Sequence, residues 1–550
     1  MEVIMEKILI IGAVAAGTSA AAKARRNNES AEITIYEKDQ FISYSGCGMP
    51  YFIGGDVESV DALTPRDPVF FKKKYNIDVK IGHEVLSINK ENKSIVVKNL
   101  STGAEFIDHY DKLILATGAK AYKPKIDGID NTNVFFLRNI RDVIQIKDFI
   151  HQAQPKTAVI AGTGFIGFEV LESLLRLNID VTIVEMAEKI TPNLDMDMAS
   201  YFESMLLSQG IKILKNTQVT QVQSQQVILS NHQNLNADLV IFATGVKPNT
   251  TLANNAGIEL GDTKAIKVNT SMETNVPDIY ACGDCIETYS AITNKPVYRP
   301  LGSTANKTGR IAGDVATGGR LRYKGNLSTG IFKFFDMVIA STGLNEKEAI
   351  ENGYDIEVCH NIKPNKPDYI GGKEMVIKAI ADKESGGLLG VQIIGYEGVD
   401  KRIDVFATLI TYKATVDELF HLDLAYAPPF STTKDPVHYT GMILNNAINN
   451  GRGLITTKEL ENLKEPVQLI DARTPSDFEK KGGIENAQNI PQSKLRDENL
   501  SLDKEILTIT YCNKGVTGNA AQNILMGKGF KKVLNLSGGH RFYKATNKKF

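Results

Sequence analysis

The sequence predicts an α/β protein of several domains, and three observations carry that expectation. Apolar strands alternate with helix-forming segments through about residue 325, and a strand–glycine turn–helix–strand unit occurs twice in that region. Near residue 326 the pattern changes to short alternating strands. A chain of 550 residues is also too long for a single hydrophobic core.

The elements follow in order. Lys7 to Ile11 reads as a strand, Gly12-Ala13-Val14-Ala15-Ala16-Gly17 as a tight turn, Thr18 to Arg26 as an alanine-rich helix and Ile33 to Glu37 as the next strand. The same plan returns in Ala158 to Ala161, the turn Gly162-Thr163-Gly164-Phe165-Ile166-Gly167, a helix through Leu177 and the strand Val181 to Glu185. Gly330 to Phe335 and Glu374 to Ile380 then suggest an α+β domain. The polar stretch Asn445 to Gly453 reads as a linker, and the remaining ~95 residues suffice for one more small α/β domain.

Composition narrows the classes of function. Apolar residues make up 42% and charged residues 23%, so the chain is expected to fold throughout. A net charge of −1 gives no chain-wide attraction to nucleic acid or to an anionic membrane. No apolar run approaches the ~18–20 residues needed to cross a bilayer. The acidic start, Met1 to Lys7, lacks the pattern of a secretory signal, so a cytoplasmic location is expected. Five scattered cysteines do not make a disulfide framework, which leaves redox-active thiols as the functional possibility. No metal site is predicted.

The glycine turns point to dinucleotides. Between a strand and a helix such a turn lets the backbone approach a pyrophosphate at the helix N-terminus, and an acid at the end of the next strand meets ribose hydroxyls. The second unit has every element in Gly162, Gly164, Gly167 and Glu185. Glu185 would repel a 2′-phosphate, which favours NADH over NADPH, although Lys189 lies close by in sequence. The first unit keeps Gly12, Ala13, Gly17, Glu37 and Lys38 but carries Val14 at the second glycine position.

Cys47 follows ten residues after Glu37, in Ser43-Tyr-Ser-Gly-Cys47-Gly-Met-Pro50. Pro50 suits the first turn of a helix, so Cys47 is expected at a helix N-terminus, where the dipole favours the thiolate. Glutathione- and lipoamide-reductase types, which this segment resembles, carry a second cysteine five positions on; here that position is Phe52, so no internal disulfide is expected there. A lone cysteine must cycle through a mixed disulfide, a persulfide or a sulfenic acid.

These motifs carry a family resemblance. Asn275 to Asp284 resembles the second FAD fingerprint of two-dinucleotide flavoproteins, with Asp284 implied to bind the ribityl chain. Leu115-Ala-Thr117-Gly118 and Phe242-Ala-Thr-Gly245 resemble the crossings between the FAD and NAD domains of that family. From about residue 7 to 440 the chain resembles coenzyme A-disulfide reductases and, more distantly, the NADH oxidase and peroxidase group. The resemblance implies a homodimer in which Tyr369 and Tyr426 act across the interface. It also implies that Ser19, Lys23 and Arg26, one stripe of the first helix, grip coenzyme A together with Ser43, Asn306 and Lys434. Two positions depart from the family: Gly46 stands where an asparagine can precede the cysteine, and Asn306 where a histidine contacts coenzyme A. Cys282 and Cys285 flank Gly283-Asp284 and are read as packing residues.

From about 455 the tail resembles a rhodanese domain, through Asp471-Ala-Arg473, Cys512-Asn-Lys514-Gly515 and Ser537-Gly-Gly-His540. Cys512 ends an apolar strand and opens a glycine-containing loop before a helix, so backbone N–H groups can nest around a cysteine persulfide. Lys514 is expected to add positive charge for an anionic donor, whereas Thr517 stands where arginine often closes the loop.

The resulting expectation is an FAD-binding domain over 5–118 and 246–325, an NAD(P)H-binding domain over 119–245, a dimerisation domain over 326–444, a linker over 445–454 and a rhodanese-like domain over 455–550. The resemblance implies reduction of coenzyme A disulfide, coenzyme A persulfide or polysulfide through a Cys47–coenzyme A mixed disulfide, with Cys512 carrying sulfane sulfur. Two alternatives stay open: an NADH oxidase or peroxidase using a Cys47 sulfenic acid, and a redox sensor with a sulfur-carrier tail.

Overall fold

The computed structural model describes residues 5–497 and 500–547, so the first four residues of the acidic start lie outside the described part. The chain divides into two compact units, residues 1–187 with 213–326, and residues 188–212 with 327–550.

The first unit contains two five-stranded sheets. In one, Ile279–Ala281, Lys112–Leu115, Lys7–Ile11, Glu32–Tyr36 and Asp78–Lys80 lie side by side, all parallel. Ile8, Leu9 and Ile10 are fully buried, as expected of a central strand covered on both faces. The other sheet runs Lys212–Leu214, Asp180–Val184, Thr157–Ala161, Leu239–Phe242 and Val134–Phe136. Each glycine turn sits at the C-terminal end of its sheet's central strand, where parallel α/β sheets bind ligands. The two A-T-G segments lead into Ala119–Ala121 and Val246–Pro248, which pair antiparallel. Thr117 and Asn249 lock this crossing: the Thr117 hydroxyl donates to Asn249 O at 2.7 Å and Asn249 Nδ2 donates to Thr117 O at 2.8 Å.

The first glycine turn is compact because it has to be. Gly12 has φ +107°, and a Cβ there would lie 2.2 Å from Ala116 O; one on Gly17 would lie 1.8 Å from Gly12 O. The helix Ala15–Asn27 consequently begins inside the turn, three residues before the sequence places it.

The second unit holds an antiparallel sheet in the order Gly330–Phe334, Met337–Gly343, Leu388–Gly395, Glu374–Asp382 and Ile356–Pro364. Lys378 is fully buried in it, 3.1 Å from Asp195 and 2.7 Å from Asp197, with Glu346 as a third ion-pair partner. Asp197 also accepts a contact from His360 Nε2 at 2.7 Å. The tail forms a parallel sheet, Leu454–Ile455, Val533–Leu536, Leu507–Tyr511, Val467–Asp471 and Gln488–Asn489. The polar stretch after 444 is not all linker, because the helix Pro436–Asn449 runs through its first five residues. Asn449 Nδ2 donates to Asn445 Oδ1 at 2.6 Å, one turn away, so these asparagines support a helix end. Among the described residues no helix is long and apolar enough to cross a membrane, and no cluster of His, Cys, Asp or Glu could hold a metal ion.

Candidate active sites

The acids at the strand ends already organise the two glycine turns. Glu37 accepts from the N–H groups of Ala13 and Asp39, each at 2.9 Å, and burial pushes its carboxyl up. Glu185 repeats the arrangement, accepting from Thr163 N at 3.0 Å and Ala187 N at 2.9 Å. Gly162 and Gly167 pack against backbone, whereas a Cβ on Gly164 would meet nothing within 4 Å. That side of the turn is open to a pyrophosphate. Lys38 is exposed beside Glu84, at 4.0 Å. Gly118 and Gly245 both have positive φ at the crossing.

Asp284 gives the most direct sign of a bound group. Its Oδ2 accepts from Arg138 at 2.6 Å, while its Oδ1 is buried with no hydrogen-bond partner. A buried, unpaired carboxylate oxygen needs a donor, and a ribityl hydroxyl would fit that need. With the glycine turn and Glu37, the residues present fit FAD, despite Val14.

Cys47 lies in a 3-10 turn, Gly46–Gly48, directly before the helix Met49–Gly54, which has Pro50 in its first turn. The side chain is exposed, yet its thiol is pushed up rather than down. Partial burial is the main cause, the carboxylates Glu169 and Asp284 add to it, and Arg138 opposes it. The helix that follows has only six residues and so a weak dipole, and the negative charges of Glu169 and Asp284 work against the thiolate that the sequence led us to expect. Glu169, on the helix Phe165–Arg176, has its carboxyl pushed up to about 7 by burial. The Tyr51 hydroxyl sits 3.5 Å from it. Sequence reasoning missed Arg138, Tyr51 and Glu169; the one available signal was a carboxylate in an apolar helix two residues past Gly167.

Other predicted residues fall on the same unit. Ser43 adopts φ +46° and donates its N–H to Ala13 O at 2.8 Å, which ties the cysteine loop to the first glycine turn. Ser19 Oγ donates to Asn306 Oδ1 at 2.7 Å. The basic stripe is weaker than expected, because Lys23 pairs with Asp314 at 3.0 Å and only Arg26 stays exposed. Cys282 and Cys285 are buried with their thiols pushed up by desolvation, consistent with packing.

In the second unit Tyr369 and Tyr426 are exposed, with Lys434 at the surface beside the buried ion pair of Asp435 with Arg402. Cys512 is buried at the end of Leu507–Tyr511, and Gly515 N donates to its Sγ at 3.2 Å. His540 N donates to Cys512 O at 2.8 Å. Lys514 forms an ion pair with Glu374, as does Arg541, so the group of two cations and one carboxylate keeps one net positive charge.

Comparison with known proteins agrees with this geometry. Residues 6–300 match the pyridine nucleotide-disulphide oxidoreductase pattern and residues 329–436 the dimerisation domain of the same family. The chain belongs to the pyridine nucleotide-disulphide oxidoreductase family. Residues 456–546 match the rhodanese-like domain, so a flavin-dependent oxidoreductase is fused to a sulfurtransferase-type domain. FAD and NAD(H) are the cofactors of a pyridine nucleotide-disulphide oxidoreductase. The chain is similar to the coenzyme A disulfide reductase of Staphylococcus haemolyticus, 36% identical over 438 residues, 80% of this chain and 99% of that one. Among solved structures it is similar to reduced Bacillus anthracis CoADR-RHD, with TM-score 0.95, 37% identity and 98% of both chains covered. It is also similar to the NAD-dependent persulfide reductase of A. fulgidus, with TM-score 0.90, 36% identity and 98% and 99% of the two chains covered. Both solved neighbours span the oxidoreductase and the tail together.

Proposed function

We propose that the chain uses NADH to reduce the sulfur–sulfur bond of coenzyme A disulfide, coenzyme A persulfide or polysulfide at Cys47, and that Cys512 carries sulfane sulfur. The observation that carries this reading is a single accessible cysteine facing Asp284, Arg138 and Glu169, with no second cysteine in its loop. The coenzyme A disulfide reductase and persulfide reductase relatives support the substrate class.

When bound, FAD supplies two-electron transfer between the nicotinamide and sulfur. Cys47 attacks a sulfur of coenzyme A disulfide, breaking the S–S bond and expelling coenzyme A thiolate, or attacks the inner sulfur of coenzyme A persulfide, expelling hydrosulfide. Both leave a Cys47–coenzyme A mixed disulfide, and polysulfide enters by giving one sulfur to coenzyme A thiolate to form that persulfide and a polysulfide one sulfur shorter. Two electrons and a proton then return Cys47 thiolate and coenzyme A thiol. Gly12, Ala13, Gly17, Glu37, Lys38, Thr117, Gly118 and Asp284 are assigned to FAD, and Gly162, Gly164, Gly167, Glu185 and Gly245 to the nicotinamide dinucleotide. Arg138 holds Asp284, and protonated Glu169 keeps negative charge away from the sulfur below about pH 7. Ser19, Arg26, Ser43, Asn306 and Lys434 are assigned to coenzyme A, with Lys23 contributing through its pair with Asp314. The dimerisation domain supports a homodimer in which Tyr369 and Tyr426 offer hydroxyls across the interface.

NADH oxidation followed with coenzyme A disulfide, with coenzyme A persulfide and with oxygen alone tests the reading. Sulfur substrates should drive turnover and air alone should not. Rapid NADH consumption in air without a sulfur acceptor would favour the oxidase instead.

A further inference from the structure

A residue of the dimerisation domain holds the turn that backs the rhodanese cysteine. His360 lies on the strand Ile356–Pro364, and Ser537 directly follows the tail strand Val533–Leu536, both within the second unit. Ser537 Oγ accepts from His360 N at 2.7 Å and lies 3.0 Å from His360 Nδ1, while His360 Nε2 lies 2.7 Å from Asp197. A carboxylate only accepts, so the neutral imidazole donates from Nε2 and its Nδ1 takes the Ser537 hydroxyl proton. Ser537 and His360 are both buried, so one residue fixes this hydroxyl through two contacts.

The turn that Ser537 opens reaches the cysteine loop through the backbone. His540 N donates to Cys512 O at 2.8 Å, and Arg541 N donates to Asn513 O at 3.1 Å. There is no slack on either side of it. A Cβ on Gly538 would lie 3.1 Å from His360 Cβ, and one on Gly539 would lie 2.4 Å from Cys512 O, so the turn is wedged between His360 and the loop. With those two carbonyls engaged by the turn, the loop offers an N–H to the sulfur: Gly515 N donates to Cys512 Sγ at 3.2 Å.

We propose that His360 is a positioning residue for sulfur transfer at Cys512, acting through Ser537 and the Gly538-Gly539 turn, so that the dimerisation domain holds the sulfur cradle of the tail. The inference rests on Cys512 being a sulfur carrier. In the transfer, Cys512 thiolate attacks the outer sulfur of a persulfide, R–S–SH. The S–S bond of the donor breaks, and RS⁻ leaves with the bonding electron pair. It then takes the proton of the new Cys512 persulfide, giving RSH and the persulfide anion. The total charge is −1 on each side, and no external oxidant or reductant is consumed. The loop N–H groups hold that anion while Cys512 O and Asn513 O stay tied to the turn, and His360 keeps the turn in place.

The test uses the full-length holoenzyme and its Ser537→Ala, His360→Gln and His360→Asn variants. An asparagine amide oxygen can take the place of Nδ1 and keep the Ser537 contact, whereas a glutamine amide takes the place of Nε2 and keeps only the contact with Asp197. Persulfide formation on the Cys512 peptide from glutathione persulfide is timed by mass spectrometry in a single turnover, beside the melting temperature and NADH turnover with coenzyme A disulfide. Ser537→Ala and His360→Gln should form the persulfide about tenfold more slowly, the loss expected for one hydrogen bond to a charged group. His360→Asn should stay within about threefold of wild type, and every variant should keep coenzyme A disulfide reduction within about twofold. Equal slowing by His360→Asn and His360→Gln, rates that follow the melting temperature rather than the Ser537 contact, or an unchanged rate in Ser537→Ala would overturn the inference while leaving Cys512 as the carrier. A wild-type Cys512 peptide that gains no sulfur would overturn the carrier reading, and the inference with it.

Discussion

Replacing Lys378 by methionine removes the one cation that holds three carboxylates together inside the second unit. Asp195, Asp197 and Glu346 all meet its ammonium, which is fully shielded from water. Breaking a buried ion pair from one side costs about 3–5 kcal/mol, because the remaining charge is left uncompensated. Asp195 keeps Gln392 and Asp197 keeps His360, so the cost should stay within that range. At about 2–4 °C per kcal/mol for a unit of this size, the melting transition should fall by about 6–20 °C. The loss should depend on pH in a defined direction. Lys378 holds the Asp197 carboxyl far below the usual carboxylate range, so Asp197 contributes stability above its unfolded value near 3.8, and that contribution fades as pH falls. The gap between variant and wild type should therefore be widest between about pH 5 and 9 and should narrow below about pH 4. Scanning calorimetry at several pH values measures it. A shift under about 2 °C, or one independent of pH, would refute the reasoning.

Three further outcomes are expected. Glu169→Gln should remove a negative charge that develops near pH 7, so iodoacetamide should alkylate Cys47 about threefold faster at pH 8, with little difference at pH 5.5. Gly17→Ala should yield protein that retains no FAD, since its Cβ would sit 1.8 Å from Gly12 O and force the helix off the strand; the absorbance of the purified protein reports this. Gly164→Ala, whose Cβ meets no protein atom, should keep its flavin and its melting temperature while KM for NADH rises at least severalfold, as steady-state kinetics will show.

The two dinucleotide units were legible because their signals are local. An apolar strand, a glycine turn and a strand-end acid all lie within about 30 residues of one another. The order strand, glycine turn, helix, strand follows from the sequence in both units, and what differs is that each helix begins inside its turn, at Ala15 and at Phe165. The electrostatics were not legible, because they depend on residues far apart in the chain. Arg138 reaches Asp284 over 146 positions, and Glu374 reaches Lys514 over 140. Cys47 reads as a helix-activated thiol in the sequence, and the opposing charges of Glu169 and Asp284 come from segments far from it in the chain. Lys514 looked like a free cation until Glu374 was found beside it. The helix through Asn449 was hidden for a different reason: asparagine has low helix propensity, yet the backbone stays helical to Asn449, with a side-chain hydrogen bond from Asn449 to Asn445 along its last turn.

The central claim is a covalent one, and mass spectrometry of the Cys47 peptide tests it. Protein treated with coenzyme A disulfide and digested without reductant should carry one coenzyme A on Cys47, released on prior addition of NADH. Cys47→Ser should lack both the adduct and disulfide turnover while keeping its flavin. Coenzyme A attached elsewhere with Cys47 free, or full turnover in Cys47→Ser, would contradict the account.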